Sequence, residues 1–369
     1  GRTLLDAAAL GGNADVVSAL LRAGCSSDVG VVCVSSRRSA LHVAVVCGHE
    51  AAARELIAAG ADVDRMDPTG QCLPIHAAAR GGHEQLTKDL LIGGSPDSCD
   101  GGGRTALHVA AELGHDKVVC ALLGSSADKD SLSRYGWTPL MLAVRNDRLA
   151  VVKTLLAAGA DVGIYIPPRR SKCCCCIEEP LPALSIAARW GHLDVLQAMI
   201  GHGVDVNVAG EYGRTALHNA SCNNRADVID ALVDAGGDVT AKDLYNWTPL
   251  SFALSDPHNI DALTAVLRRG ALVNERGYWD YTPLHSVVLC GKPFMEAAVD
   301  LLLRWGACET AVDRSGDTPA DLTSRLSPRS HYCSQDEING VRRLLSQAPV
   351  DRAWRRRYWL VMLRSRAMR

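Results

Sequence analysis

Between Gly136 and Val162 the apolar residues fall in two short stripes with a polar break between them. Leu140, Ala143 and Val144 stand at i, i+3 and i+4, a spacing that gives a short helix one apolar face. Thr138 precedes the stripe as an N-cap, and Pro139 takes the first helical position, where its missing N–H costs nothing. Asn146-Asp147 interrupts the pattern, and Val151, Val152, Leu155 and Leu156 resume it at the same period. Gly159 then stands where a helix ends well in a left-handed residue, as do Gly24, Gly60, Gly203, Gly236, Gly270 and Gly306 after equivalent stretches. The pattern predicts two short helices joined by a tight turn. Such a pair cannot bury its stripe alone. Burying one Val or Leu contributes about 1.5–3 kcal/mol, whereas ordering the backbone costs roughly 1–2 kcal/mol per residue. Several units must therefore stack on one another.

The unit recurs along the chain. Thr105-Ala106-Leu107-His108 has counterparts at Ser39-Ala40-Leu41-His42, Thr215-Ala216-Leu217-His218 and Thr282-Pro283-Leu284-His285, with looser copies from Thr3, Leu73, Thr138, Pro182, Thr248 and Thr318. The ten starts are separated by 36, 34, 32, 33, 44, 33, 33, 34 and 36 residues. A period near 33 with this tetrapeptide and a following Gly114-His115 resembles the ankyrin repeat family. The resemblance covers nearly the whole chain. It implies an all-α solenoid of about ten stacked repeats, each a helix-turn-helix plus a β-hairpin finger, in a curved elongated array. Repeats begin near residues 1, 37, 71, 103, 136, 181, 213, 246, 280 and 316. Residues 1–349 form the array, and 350–369 a basic aromatic C-terminal segment. In the last unit Asp321 stands where the motif has His, a departure common in closing repeats.

Histidines 42, 76, 108, 218 and 285 share one repeat position. Metal ligands must converge, whereas solenoid repeats translate along an axis, so no metal or catalytic centre is expected from them. The resemblance implies that they hydrogen-bond within and between turns. Gly101-Gly102-Gly103-Arg104 lacks the ending of a phosphate loop, and there is neither a Gly-x-Ser-x-Gly elbow nor a His-Glu-x-x-His pair. No enzyme activity and no cofactor are expected.

Length alone suggests two or three globular domains; the repeats argue for one elongated domain. No run of 18 apolar residues is present, so no membrane span is predicted. Gly1 enters directly on a repeat, without Met or a basic-then-apolar leader, which is compatible with a fragment of a longer chain. Cys47, Cys120, Cys222 and Cys290 take helical positions filled elsewhere by small or apolar residues, and are expected to be buried free thiols. That usage favours a reducing cytoplasmic or nuclear setting. Net charge is −2, but residues 352–369 hold seven Arg and no acid, leaving −9 on the rest. An acidic array with a basic tail does not suit nucleic-acid binding by the array.

Binding residues are sought on the fingers. Eight of the fifteen Trp and Tyr residues fall at fingers or the adjoining helix starts: Tyr135, Trp137, Tyr212, Tyr245, Trp247, Tyr278, Trp279 and Tyr281. An aromatic just before Thr-Pro is a packing residue in ankyrin repeats, which the resemblance extends to Trp137, Trp247 and Tyr281. Tyr135, Tyr212, Tyr245, Tyr278 and Trp279 are the contact candidates, since exposed aromatics offer area and a polar handle at low entropic cost. At the ends of the first helices, Arg145, Arg189 and Trp190 suggest an aromatic–cationic neighbourhood suited to an acidic or extended peptide; a solvated groove edge is the competing reading. The expected partner is a protein bound by a monomeric scaffold.

Two segments stand apart. The 44-residue step carries an inserted loop, residues 163–181, in which Cys173, Cys174, Cys175 and Cys176 follow Arg169, Arg170 and Lys172. Reversible palmitoylation, metal or redox chemistry, and a tolerated insertion all remain open there. In the tail, the run Tyr358–Leu363 is flanked by arginines. It suits a helix packed on the last repeat, a membrane-surface segment or a partner-docking helix. Two alternative functions follow: a substrate-recruiting adaptor of a ubiquitin ligase, and a peripheral membrane organiser using Cys173–Cys176 and the tail. The register itself is testable. Leu122→Ala or Leu156→Ala is expected to destabilise the stack by roughly 2–5 kcal/mol, and a melting curve unchanged by both would contradict it.

Overall fold

The computed structural model describes residues 3–24, 38–67, 72–164, 181–256, 259–290, 295–325 and 334–348. The chain divides into two compact units, Gly1–Ala183 and Leu184–Arg369. Among the described residues, twenty α-helices, numbered in chain order, come in pairs. The first unit holds α1 (Leu4–Gly11) and α2 (Ala14–Arg22), α3 (Ala40–Val46) and α4 (Glu50–Ala58), α5 (Pro74–Gly81) and α6 (Glu84–Leu91), α7 (Ala106–Leu113) and α8 (Asp116–Gly124), and α9 (Pro139–Arg145) and α10 (Leu149–Ala157). The second holds α11 (Ala183–Trp190) and α12 (Leu193–Gly201), α13 (Ala216–Cys222) and α14 (Ala226–Asp234), α15 (Pro249–Ala253) and α16 (Ile260–Arg268), α17 (Pro283–Cys290) and α18 (Met295–Arg304), and α19 (Pro319–Leu322) and α20 (Gln335–Gln347). Within each unit, first helices stack on first helices and second on second, as α7 does on α9 and α14 on α16.

The apolar periodicity reads directly into burial. Leu140, Ala143, Val144, Val151, Val152, Leu155 and Leu156 all lie in the core between α9 and α10, and Leu107 and Leu122 are fully buried in the pair before. The helices start where the sequence places caps. The Thr138 hydroxyl accepts the Met141 N–H at 3.1 Å. Thr3, Thr105, Thr215, Thr248, Thr318 and Ser334 form reciprocal capping boxes, which relieve two orphan donors each.

The recurrent histidine joins one repeat to the next. His108 Nδ1 accepts the Thr105 backbone N–H at 3.1 Å and lies 2.9 Å from its hydroxyl. Nε2, left as the protonated nitrogen, donates to the Trp137 carbonyl of the following repeat at 2.9 Å. His42, His76, His218 and His285 reach the carbonyls of Cys72, Arg104, Trp247 and Asp317 in the same way. A second lock, unread in the sequence, runs in the opposite direction at several junctions. There the residue before the second helix reaches back to the preceding first helix: His49 Nε2 to Leu10 O at 3.1 Å, His115 Nε2 to Arg80 O at 3.1 Å, and Asn259 Nδ2 to Cys222 O at 3.0 Å. Gly12 illustrates the space this requires. Its φ is +69°, and a Cβ there would meet the His49 ring at 2.4 Å. The glycine therefore serves as a helix terminator and as a seat for the neighbour's ring.

Two expectations need correction. No strand forms among the described residues: each finger is a tight turn, and adjacent fingers share a single backbone bond rather than a ladder. Arg134 N donates to Gly102 O at 3.0 Å, Leu244 N to Tyr212 O at 2.7 Å, and Arg314 N to Trp279 O at 3.1 Å. One bond per junction is too little for pairing to extend. The second correction concerns cysteine. Cys47, Cys120, Cys222 and Cys290 are exposed, whereas Cys72 is buried, and that burial raises the Cys72 thiol pKa. The four exposed positions accept small residues because they face outward, not because a core confines them.

Burial lowers the pKa of all five bridging histidines, that of His108 to about 4. Protonating Nδ1 would also set a proton against the Thr105 N–H. Because the folded pKa lies below the unfolded value near 6.5, the stabilisation is complete above that pH. It should be lost as pH falls from about 6.5 toward 4. The expected result is a melting temperature that declines steeply across this window and less so in His108→Gln, measured by circular dichroism.

Candidate functional site

Finger geometry depends on the first residue of the turn. In residues 100–104, Asp100 Oδ1 accepts the N–H groups of Gly102 and Arg104 at 2.8 and 2.9 Å. Asp243 does the same for Tyr245 and Trp247 at 2.8 and 2.9 Å, and Asp313 for Ser315 and Asp317 at 2.7 and 3.0 Å. In these fingers the left-handed position falls on the fourth residue: Gly103, Asn246 and Gly316. Two fingers of the second unit begin instead with Gly210 and Gly277, which have no side chain to anchor the turn. There the third residue is also left-handed, and it is an aromatic: Tyr212 at φ +59° and Trp279 at φ +61°. A bulky residue in that region carries strain of order 1–3 kcal/mol and persists only where the surroundings hold it. The bonds from Leu244 N to Tyr212 O and from Arg314 N to Trp279 O hold these two.

The consequence is a row of aromatics on three successive fingers of the second unit. Tyr212 is 39% exposed, Tyr245 56%, Trp247 43% and Trp279 49%. The Tyr212 and Tyr245 rings lie 5.9 Å apart, tilted by 36°, so they open as a shallow V. Arg214 stands 5.4 Å over the Tyr212 ring and 4.8 Å over Phe252, with its Nε 3.5 Å from the buried Asp243 carboxylate. Arg314 stands 6.0 Å over the Trp279 indole. Cation–aromatic contacts of this kind fix flat side chains in place at a cost below that of ordering them singly. Trp247, expected to pack, rests its edge on Phe252 at 5.7 Å but keeps much of its surface in solvent. Tyr281 does pack, stacked on His285 at 5.9 Å. The Arg–aromatic stacks were not read from the sequence. The Tyr212 stack has a local signal, the Arg two residues on in Tyr212-Gly213-Arg214, whereas Arg314 reaches Trp279 from the next finger.

The other candidates fall elsewhere. In the first unit, Tyr135 projects from its finger, and Arg145 stacks at 5.2 Å over the buried Trp137. In the second, Arg189 is half-buried and Trp190 exposed at the end of α11. Arg145 thus belongs to one unit, and Arg189 and Trp190 to the other. Tyr278 begins the one-turn helix Tyr278–Asp280, and its side chain lies outside the described residues. Cys173, Cys174, Cys175 and Cys176 and the segment 350–369 also lie outside them. Among the described residues no group of three His, Cys, Asp or Glu is placed to hold a metal ion, and no helix is long and apolar enough to cross a membrane.

A family model for ankyrin repeats, in three copies, matches residues 1–67, 75–166 and 184–276, more than half of the chain. The chain belongs to the ankyrin repeat family. It is 30% identical over 225 residues to the B-cell lymphoma 3 protein homolog of Mus musculus, covering 58% of this chain and 48% of that protein. It is 26% identical over 356 residues to the E3 ubiquitin-protein ligase KEG of Arabidopsis thaliana, covering 92% of this chain and 21% of that protein. The chain therefore spans less than half the length of these curated relatives. The human ASB11 ankyrin repeat domain superposes with a TM-score of 0.52 at 23% identity, covering 63% of this chain and 98% of that one. Ankyrin repeats bind protein partners, and the fold is in general a non-catalytic binding module.

Gly103 and Trp279 both lie left-handed but for opposite reasons. At Gly103, φ +69°, a Cβ would come within 2.9 Å of Arg134 N, so Gly103→Ala should lower stability by about 1–2 kcal/mol. At Trp279 the backbone is already in a conformation that glycine adopts freely. Trp279→Gly should therefore melt no lower than the parent; a marked drop would show that the ring is needed for packing.

Proposed function

We propose that this chain is a non-catalytic scaffold that binds a protein partner through the finger face of its second unit. The observation that carries this reading is the exposure of Tyr212, Tyr245, Trp247 and Trp279 on successive fingers, two of them held in strained backbone. Strain of that kind has no use in packing an exposed ring, but it does present a rigid ring to a partner. Aromatics with Arg beside them are the residues that most often dominate binding energy. Tyr135, Arg145, Arg189 and Trp190 would extend the contact, each within its own unit. The setting in which such a scaffold would work is the cytoplasm or nucleus.

A second reading, a substrate-recruiting adaptor of a ubiquitin ligase, takes support from the name of the plant relative aligned along most of this chain. In that reading residues 350–369 dock the ligase machinery, and cullin-type partners would be retained only with that segment present.

The test is affinity capture with mass spectrometry from native lysate, comparing the parent with Tyr245→Ala/Tyr278→Ala/Trp279→Ala and with residues 1–349. Specific partners should fall at least tenfold in the triple variant, at unchanged melting temperature. Retention of every partner by the triple variant would remove the finger face from the function, and loss only on truncation would move recognition to the tail.

A further inference from the structure

We infer that the second unit contains a hinge between α16 and α17, at which α17–α20 open from α13–α16 as one body. Two positions lock neighbouring repeats to each other. One is the third residue of the first helix, where histidine reaches the next repeat. The other is the residue before the second helix, which reaches back. In every pair of consecutive repeats but one, at least one of these positions holds His, Arg or Asn. The exception is the pair formed by α15–α16 and α17–α18, which has Ser251 and Phe294 there. The Ser251 hydroxyl is too short to leave its own turn and lies 3.3 Å from that of Thr248. Phe294 is outside the described residues, and its side chain carries no donor.

A third link is missing at the same seam. Asn207 and Asn274 each stand four residues after the glycine that ends a second helix, and each bridges to the next such glycine. Asn207 donates to Gly236 O at 3.1 Å and accepts the Asp238 N–H at 2.9 Å. Asn274 does the same with Gly306 O and Cys308 N at 3.0 and 2.7 Å. The equivalent residue between them is Thr240, whose hydroxyl donates to its own Asp238 at 2.7 Å. The Tyr281 carbonyl accepts the Gly277 N–H at 2.9 Å, as the Trp247 carbonyl accepts that of Asp243 at 2.9 Å. Trp247 O also takes the bond from His218 Nε2 at 3.0 Å, whereas the Ser251 side chain bonds within its own turn. The Lys242–Glu275 ion pair, at 2.5 Å and partly exposed, does span the seam, and such pairs contribute little. Packing is incomplete as well. A cleft lined by Leu254, Ile260, Leu263, Val287, Met295 and Ala298 lies between the two helix pairs, and its walls forgo dispersion contacts. Beyond the seam the links resume: His285 reaches Asp317 O at 3.1 Å, Arg276 donates to Val312 O at 3.0 Å, and Arg314 N to Trp279 O at 3.1 Å. Each repeat of such an array is held by its neighbours alone, so the weakest junction sets where it opens. The finger of Tyr245 and Trp247 stands on one side of the seam and that of Trp279 on the other. Opening therefore changes the separation of their exposed rings.

The experiment is native-state hydrogen exchange of the full chain, read by mass spectrometry helix by helix. In the parent, α17 and α18 should exchange together with α19 and α20, about tenfold faster than α13–α16 or more, in one step rather than a gradient toward the chain end. Ser251→His offers the Thr248 cap and the Tyr281 carbonyl the bonds that His218 makes one repeat earlier. It should slow exchange of α17–α20 about fivefold, the effect of one added hydrogen bond. His218→Ser/Asn259→Ala copies the seam one repeat earlier and should bring α15 and α16 into the fast group. Protection of α17 and α18 equal to that of α13–α16 in the parent overturns the hinge. Unchanged exchange of α17–α20 in a Ser251→His chain that melts no lower than the parent also overturns it. If that variant melts lower, the double variant decides, and a step that it leaves between α16 and α17 overturns the hinge.

Discussion

Every junction that carries the repeated histidine depends on one backbone carbonyl. The residue just before the next repeat's N-cap turns its C=O to the histidine Nε2, a bond buried at His42 and His108 and part-buried at His76, His218 and His285. A buried acceptor left unmet costs about 1–3 kcal/mol. Histidine suits this position because its two nitrogens have opposite roles when neutral. In His108, Nδ1 accepts from the Thr105 N–H and Nε2 donates to Trp137. One side chain thus starts its own helix and fixes the height of the neighbouring one. Lysine would have no acceptor and a carboxylate no donor. In α19, Asp321 closes only its own box with Thr318, and it has no bond to offer onward.

The fingers show how the same scaffold leaves room for variation. Where Asp opens the turn, its carboxylate organises two N–H groups and the strain falls on Gly or Asn. Where Gly opens it, that anchor is gone, and the turn closes by backbone alone, from Gly210 N to Arg214 O at 2.8 Å and from Gly277 N to Tyr281 O at 2.9 Å. The left-handed residue is then free to be Tyr212 or Trp279. The helices beneath are unaffected, because Thr215 and Thr282 still engage His218 and His285.

Much of this was legible in the residues. The helix pairs, their caps and the left-handed glycines followed from the 3.6-residue stripes and the recurring Thr and Gly, because those are local properties of the backbone. The finger aromatics could be named, but not their state. Trp137 and Trp247 occupy the same register, yet one is buried under Arg145 and the other half in solvent beside Phe252. The difference lies in how the neighbour on the following helix covers the ring, Arg145 in one case and Phe252 in the other, which the shared register does not reveal. The four cysteines misled for a related reason. A small residue is tolerated in a tight core and on an uncrowded outer face alike, and only packing tells the two apart.

The sequence by itself determined the repeat, the family and the register of the buried stripe, because a period of about 33 residues can bury its apolar positions only by stacking copies. The family resemblance carried by those residues also implied the histidine bridge between repeats, and the structure supplied its partners. The tertiary structure decided which aromatics reach solvent, which arginines lie over them, and that the fingers are turns rather than strands. The contacts between fingers join residues about 30 positions apart, such as Leu244 with Tyr212 and Arg314 with Trp279. No local pattern encodes them, because each is set by how closely two independently folded turns approach.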